Sequence, residues 1–589
     1  MDLLLAGVLA LLAIAAATAI SPKLGVAAPL LLVVVGLGVG LLPVVPEFEI
    51  DPEWILAGVL PPLLYSAAVS MPAMEFRRDF GAISGLSVVL VVITAVLLGL
   101  LFAWLIPGLG LAWGIALGAI VSPTDAVATS IVKRLGVSPR VVAMLEGESL
   151  LNDASALVLL RAAIAGAAAS VSIWGVAGSF VYSIVVAAVI GVAVGWVNLR
   201  VRARIADPTV NTVISFTMPF LAAIPAEHLG ASGLVAAVVA GLVTGRGAAR
   251  YLSPQHRLSD AQNWRTVELV LESAVFLVMG LELTAIVADV EAAHAGVWFA
   301  VGLAAIALTA TVLIRAAFVA PLLAALSRRA SRAAAIKGVI TDRAEGGAMK
   351  HLEQPALRGD GRRASRPPSA ARVERFRTMW RRRVADIDYL LAQPLGWREG
   401  TIVVWAGMRG VVTLAAAQTL PSETPSRSLL IFIAFLVAVG SLLVQGGTLP
   451  WLVHRLLPAR DPGESRAERR ELERVLRSAA MAEMANDDDP AARAMAERMR
   501  AAWQLSNDEG ADESGDTDAS ADSGASAASD RRIDPELVRL LRLRMIEAER
   551  TALLDARDDG VFSAAALSAA LEDLDAEQIS VELKGTEGG

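Results

Sequence analysis

Four polar side chains fall within two helical turns of one apolar stretch, MLEGESLLNDASALVLL at 144–160: Glu148, Ser149, Asn152 and Asp153. At about 100° per residue, Glu148 and Asn152 share one helix face, and Ser149 and Asp153 share the next. One face offers a hydroxyl and a carboxylate, both oxygen ligands for a hard cation; the other offers a carboxylate and an amide. A second group is Ser122-Pro123-Thr124-Asp125, inside AIVSPTDAVATSIV (119–132). Proline removes a backbone donor, and Ser, Thr and Asp can cap the half-helix that follows, so the string reads as a break within an apolar helix. Two arginines lie in later apolar stretches: Arg315 in ATVLIRAAFVA (310–320) and Arg409 in VVWAGMRGVVTLAAA (403–417). A buried guanidinium needs an anion or several carbonyls, and Glu148 is the candidate partner of Arg315. Arg409 is flanked by Gly407 and Gly410, a second candidate helix interruption.

The elements that must position these residues are apolar throughout. The 589-residue chain is 55% hydrophobic, with a mean hydropathy of +0.57. Its apolar residues come in blocks; 2–20, 24–45, 84–106 and 428–453 carry almost no charge. Each block is long enough to cross a hydrocarbon core about 30 Å thick. The pattern predicts an all-α polytopic membrane protein with thirteen spans, at roughly 2–20, 24–45, 54–72, 84–106, 111–133, 141–169, 172–199, 210–226, 231–247, 266–288, 295–326, 399–422 and 428–456. The first run follows Asp2 without a basic leader, so it reads as a span and not as a cleaved signal peptide. Loops after odd-numbered spans carry Lys23, Arg77, Arg78, Lys133, Arg134, Arg140 and further arginines, whereas loops after even-numbered spans carry only Arg427. Basic loops mark the cytoplasmic side, which puts the N-terminus outside and the C-terminus in the cytoplasm of a cell-membrane protein.

The reading therefore divides the chain into a membrane domain, 1–456, with a basic cytoplasmic insert at about 327–398, and a cytoplasmic tail, 457–589. In the tail, 462–505 reads as a charged helix, 506–531 as acidic low-complexity disorder, and 533–582 as room for short helices. The absence of cysteine excludes disulfides and thiolate metal sites. No G-x-x-x-x-G-K-[ST] string is present, which argues against nucleotide-driven work and nucleotide binding. Nothing points to nucleic acid or to a cofactor. The string Gly230-Ala231-Ser232-Gly233 raises a remote alternative, an intramembrane serine protease, but none of the five histidines lies in the middle of a span to serve as base. Ionisable residues inside a bilayer are costly and mark function. Interrupted spans with free helix ends are how secondary transporters build ion sites near the midplane, and two in corresponding positions are what an inverted repeat gives.

The strings SPTDAVA (122–128), EGESLLNDASALV (146–158), GASGLVAAVVAGL (230–242) and GMRGVVTLAAA (407–417) resemble the monovalent cation:proton antiporter family 1, over residues 1 to about 456. The resemblance implies an antiporter fold with broken crossing helices, a homodimer, elevator-like motion, and Na⁺ or K⁺ and H⁺ as the transported ions. By position it makes Asp153 the ion-binding and proton-carrying carboxylate, with Asn152 beside it. Ser149 and the Thr124–Asp125 break complete the shell of a monovalent cation. Glu148 and Arg315 become a structural ion pair, and Arg409 faces the crossing of the broken spans. The chain departs from the pattern in LPPLLYSAA (60–68), where Ser66 stands at a position that is acidic in many members. Glu272, in VELVLESAVFLVMGLEL (267–283), resembles a further family glutamate. A single carboxylate that holds a cation or a proton, and cannot cross the membrane empty, predicts electroneutral exchange of one cation per proton. Sodium is the expected cation and K⁺/H⁺ exchange, or another ion-coupled transport on the same fold, the alternative.

Overall fold

The structure, a computed structural model, describes residues 2–24, 27–42, 52–168, 173–292, 296–343, 384–391, 393–457, 462–485, 493 and 535–586. The described residues are helical and turn segments with no strand. They divide into two compact units, Met1–Pro368 with Asp386–Arg460, and Ser369–Ala385 with Asp461–Gly589.

In the first unit a helical segment lies in every one of the thirteen expected ranges. These are α1 (Asp2–Leu24), α2 (Ala28–Gly40), α3 (Trp54–Ser70), α4 (Ala73–Leu105), α5 (Leu111–Val121) and α6 (Val127–Arg134), then α7 (Pro139–Ala168), α8 (Ile173–Arg202), α9 (Pro208–His228) and α10 (Gly233–Tyr251). They continue with α11 (Pro254–Ala292), α12 (Val297–Arg343), α13 (Trp397–Trp405), α14 (Val411–Gln418) and α15 (Arg427–Leu456). Among the described residues, nine helices are long and apolar enough to cross a membrane, while α2, α3 and α5 are shorter apolar helices.

Both expected interruptions are present. Residues 122–126 separate α5 from α6, and 406–410 separate α13 from α14. Pro123 has no N–H to give to the ladder, and the hydroxyls beside it offer the chain other partners. The breaks join each other: the Asp125 amide donates to the Met408 carbonyl at 2.7 Å.

Helix α7 runs between two apolar cores. It gives Met144 and Leu145 to one, shared mainly with α4, α5, α6, α12 and α15, and Leu150 and Ala154 to the other, shared with α3, α9 and α10. Its polar residues at 148–153 therefore sit where two packed bodies meet. Elsewhere small residues allow backbones to touch. A Cβ at Gly36 would lie 2.2 Å from the Leu277 carbonyl, and one at Gly280 would lie 2.3 Å from that of Val33, so α2 and α11 cross at a glycine pair.

The helices overrun the expected spans at their basic ends. α4 begins at Ala73, because AMEFRRDFGAIS has no breaker and its Glu75 and Asp79 turn inward. α12 continues to Arg343, so the first part of the basic insert extends a helix instead of forming a loop. Residues 344–383 of the insert lie outside the described residues. The chain that follows is pinned to α4 and α7. Arg140 and Asp79 form a buried bidentate pair, with Nη2 to Oδ1 at 2.8 Å and Nε to Oδ2 at 3.0 Å. Tyr389 donates to Asp79 Oδ2 at 3.2 Å, and Arg78 Nε donates to Asp386 at 2.6 Å.

In the second unit, α16 (Pro462–Ala485), α17 (Pro535–Asp559) and α18 (Ala564–Thr586) form a helical bundle. Ala480, Met484, Leu541 and Met545 are its apolar centre. Glu468 accepts from the Ser563 amide at 2.6 Å at the start of α18, and Arg550 pairs with Asp575 at 3.1 Å. The expected charged helix is described over Pro462–Ala485, the rest of its range except residue 493 lying outside the described residues, and α17 and α18 are long where short helices were expected. The expected disorder at 506–531 lies outside the described residues.

Candidate functional site

The α5–α6 break packs on the polar turn of α7. Asn152 Nδ2 donates to Thr124 Oγ1 at 2.5 Å, and Thr124 in turn donates to Glu148 Oε1 at 3.3 Å. Glu148 is 1% exposed and takes both terminal nitrogens of Arg315, Nη2 reaching Oε2 at 2.7 Å and Nη1 reaching Oε1. The remaining guanidinium nitrogen, Arg315 Nε, donates to the Val403 carbonyl at 3.0 Å, just before the second break. Charge and hydrogen-bonding capacity are thus matched at the pair, as burial of two ions requires. Its role is to hold α7, α12 and α13 together around the breaks.

Arg409 occupies the crossing. Its Nε donates to the Val121 carbonyl, at the end of α5, at 3.0 Å, and its Nη1 donates to the Gly407 carbonyl. A cation there answers the partial negative charge of a helix C-terminus. The backbone amide of Arg409 donates to Ser441 Oγ at 2.8 Å on α15. Asp125 supplies the opposite sign at the opposite helix ends. Its Oδ1 accepts from the Val127 amide at 3.4 Å, the first residue of α6. Its Oδ2, buried and without a hydrogen-bond partner among the described residues, lies against Gly410, the residue before α14.

These contacts explain the G-M-R-G string. A Cβ at Gly410 would fall 2.0 Å from Asp125 Oδ2, and one at Gly407 would fall 2.7 Å from Arg315 Nε. Only glycine leaves room for the charged groups on either side of Met408.

Against this tied scaffold Asp153 stands apart. It is 8% exposed, and among the described residues its carboxylate has no hydrogen-bond or ion-pair partner. Asp125 is the charge within its electrostatic reach. Asn152 Oδ1, one residue away, is also buried without a partner among the described residues. Ser149 donates to the Glu146 carbonyl of its own helix at 3.2 Å. The geometry therefore brings Thr124, Glu148, Asn152 and Arg315 into one network, sets Asp125 and Arg409 at the crossing, and leaves Asp153 and the Asn152 carbonyl open. An open carboxylate and an open amide oxygen suit a proton or a hard monovalent cation.

Ser66 is 5% exposed and donates to Glu268 Oε2 on α11 at 3.3 Å. Glu272, one turn beyond, is half-buried and within electrostatic reach of both Asp125 and Glu268. Glu268 and Ser441 were not among the residues singled out in the sequence. Only the spacing of Glu268 four residues before Glu272 hints at it. Among the described residues the protease alternative finds no constellation: Ser232 caps α10, accepting from the Val235 amide at 3.3 Å, while His256 is held by Asn211 and the Ala206 carbonyl.

Comparison with known proteins follows the same outline. A family model described as sodium/hydrogen exchanger, transmembrane, matches residues 7–341 and 378–455. An uncharacterised Na⁺/H⁺ exchanger of Escherichia coli, YjcE, is 37% identical over 247 residues, which are 40% of this chain and 45% of that relative, less than half its length. An uncharacterised Na⁺/H⁺ exchanger of Mycobacterium bovis, Mb2309, is 28% identical over 467 residues, covering 77% of this chain and 75% of the relative. The solved structure of the sodium proton antiporter MjNhaP1 from Methanocaldococcus jannaschii superimposes with a TM-score of 0.54 at 17% identity, over 77% of this chain and 99% of that one, a likeness of fold. The family match runs through both helix breaks, the polar turn of α7 and both arginines, and the chain belongs to the sodium/hydrogen exchanger family.

Proposed function

We propose that this protein is a secondary active antiporter that exchanges a monovalent cation for H⁺, with Asp153 as the group both ions compete for. The observation that carries this reading is the isolation of Asp153. Glu148 is neutralised by Arg315, Asn152 does not titrate, and Asp125 is lodged at the starts of α6 and α14. Among the described residues, Asp153 is the carboxylate of the breaks and the polar turn of α7 that has no hydrogen-bond or ion-pair partner. A bare charge is costly in the membrane interior, so the site moves once a cation or a proton has neutralised it. Either occupant does so with a single charge, and the exchange is electroneutral at one cation per proton. The gradients of the two ions supply the driving force.

The same reading makes Na⁺ the principal cation. A second reading, K⁺/H⁺ exchange, is favoured by one observation: α3 contributes the hydroxyl of Ser66 where a carboxylate would strengthen the hold on a small ion. The alternation of loops rich and poor in Lys and Arg supports a cell-membrane protein with its N-terminus outside and its C-terminus in the cytoplasm. A homodimer with elevator-like motion is the assembly that the family resemblance implies.

The test is dequenching of a pH dye in everted vesicles on addition of Na⁺, K⁺ or Li⁺, for wild type and Asp153→Asn. The reading predicts cation-dependent proton movement that disappears in the variant. A fully active variant would remove Asp153 from the mechanism, and wild type that moves no protons with any cation would remove antiport.

A further inference from the structure

Glu268 was not expected at the site, yet it is linked to Ser66 by a hydrogen bond and to Glu272 by its charge. It stands on α11 one turn before Glu272, so the two carboxylates share a face. Its Oε2 accepts from Ser66 at 3.3 Å. Among the described residues, no Lys or Arg nitrogen pairs with either carboxylate. Lys133, whose charge reaches Glu268, has its ammonium on Glu146 at 3.3 Å, and Arg265 is exposed. At this end of the bundle, carboxylates lie within electrostatic reach of one another. Glu268 is within electrostatic reach of Glu146 and Glu272, Glu272 of Asp125, and Asp125 of Asp153. Glu146, Glu268 and Glu272 are half-buried, whereas Asp153, where the succession ends, is 8% exposed and unpartnered. Among the described residues, no three His, Cys, Asp or Glu converge to hold a metal ion together. The acids are thus electrostatic neighbours that do not form one chelating group.

We propose that Glu268, held by Ser66 and followed by Glu272, is the loading carboxylate of the cation path. It draws a monovalent cation out of the water at the basic end and passes it to Asp125 and Asp153. In doing so it supplies from α11 the charge that a carboxylate at position 66 would supply from α3. The need for it is electrostatic. The basic loops at this end repel cations, and a cleft lined with negative charge restores their local concentration. Carboxylates one turn apart, about 6 Å along the helix, let the ion exchange ligands without shedding all of its water at once. This assignment rests on the antiport reading.

The test uses the full chain in proteoliposomes, measuring initial rates of cation-driven proton movement against Na⁺ and K⁺ concentration. Glu268→Gln is expected to raise the apparent KM on the order of tenfold with the maximal rate retained. Ser66→Glu combined with Glu268→Gln is expected to return KM toward wild type. An unchanged KM for both cations in Glu268→Gln, or a lower maximal rate at unchanged KM, overturns the assignment. Antiport itself stands as long as wild type moves protons, so the two readings fail separately. If Glu268→Gln does not reach the membrane, the absence of cysteine provides a second route. Glu268→Cys creates a single thiol, to be labelled with an anionic sulfonate or a cationic ammonium thiosulfonate. The anionic label is expected to give the lower KM; equal KM with both labels overturns the proposal.

Discussion

Gly410→Ala is the sharpest probe of the helix crossing. The new methyl group would lie 2.0 Å from Asp125 Oδ2 and 2.2 Å from its Cγ, where ordinary contact begins at 3.4 Å. The carboxylate or the break must retreat by more than 1 Å, roughly the difference between those distances. Neither is free to do so cheaply, because the Asp125 amide is tied to Met408 and its Oδ1 to the amide of Val127. Overpacking of this kind costs about 1–3 kcal/mol. Spent against the occupied site, that corresponds to a roughly 5- to 150-fold weaker apparent cation affinity. Gly302→Ala on α12 is the control: its methyl group meets nothing within 4 Å. The assay is the cation dependence of proton movement in vesicles, normalised to protein in the membrane. If Gly410→Ala transports with wild-type affinity, Asp125 is not fixed by the crossing and the account of the G-M-R-G string is wrong.

Two further outcomes follow from the same geometry. Glu148→Gln leaves the guanidinium of Arg315 buried without its anion and should lower unfolding stability in detergent by about 3–5 kcal/mol, whereas the double change with Arg315→Met should cost less than this single one; a double variant as unstable as the sum of both singles would show that the two residues act independently. In the tail, burial pushes the Glu549 carboxyl above its usual range, Arg542 opposing and Glu577 adding to the shift. A carboxyl raised in the folded state contributes stability below its unfolded value of 4.5 that is lost as pH rises through the folded value. Glu549→Gln should therefore slow amide exchange in α17 at pH 7 and leave it unchanged below pH 4.5; equal exchange at pH 7 would contradict the shift.

What was legible in the sequence is what local chemistry dictates. Long apolar runs announce helices of membrane length, and Pro123 announces the first break because a missing N–H acts where it stands. The second break was readable from Gly407 and Gly410, although the reason both must be glycine, the carboxylate of Asp125 and the guanidinium of Arg315, lies in other helices. The Glu148–Arg315 pair was legible because a buried charge demands an opposite one. Glu268 was not, since its meaning depends on Ser66, 202 residues away. The inward turn of Asp79 was hidden in the same way: only the approach of Arg140 and Tyr389 distinguishes it from a solvated loop acid. Helix ends also escaped, because α4 and α12 continue past the bilayer-length run on sequences that simply contain no breaker.

The central claim is that one carboxylate holds either a cation or a proton. Its most direct test is proton release on cation binding, read with a pH indicator as Na⁺ or K⁺ is added to purified protein in weak buffer. The account predicts one proton released per cation bound in wild type, and none in Asp153→Asn. Cation binding that releases no proton in wild type, or release that persists in the variant, would contradict it.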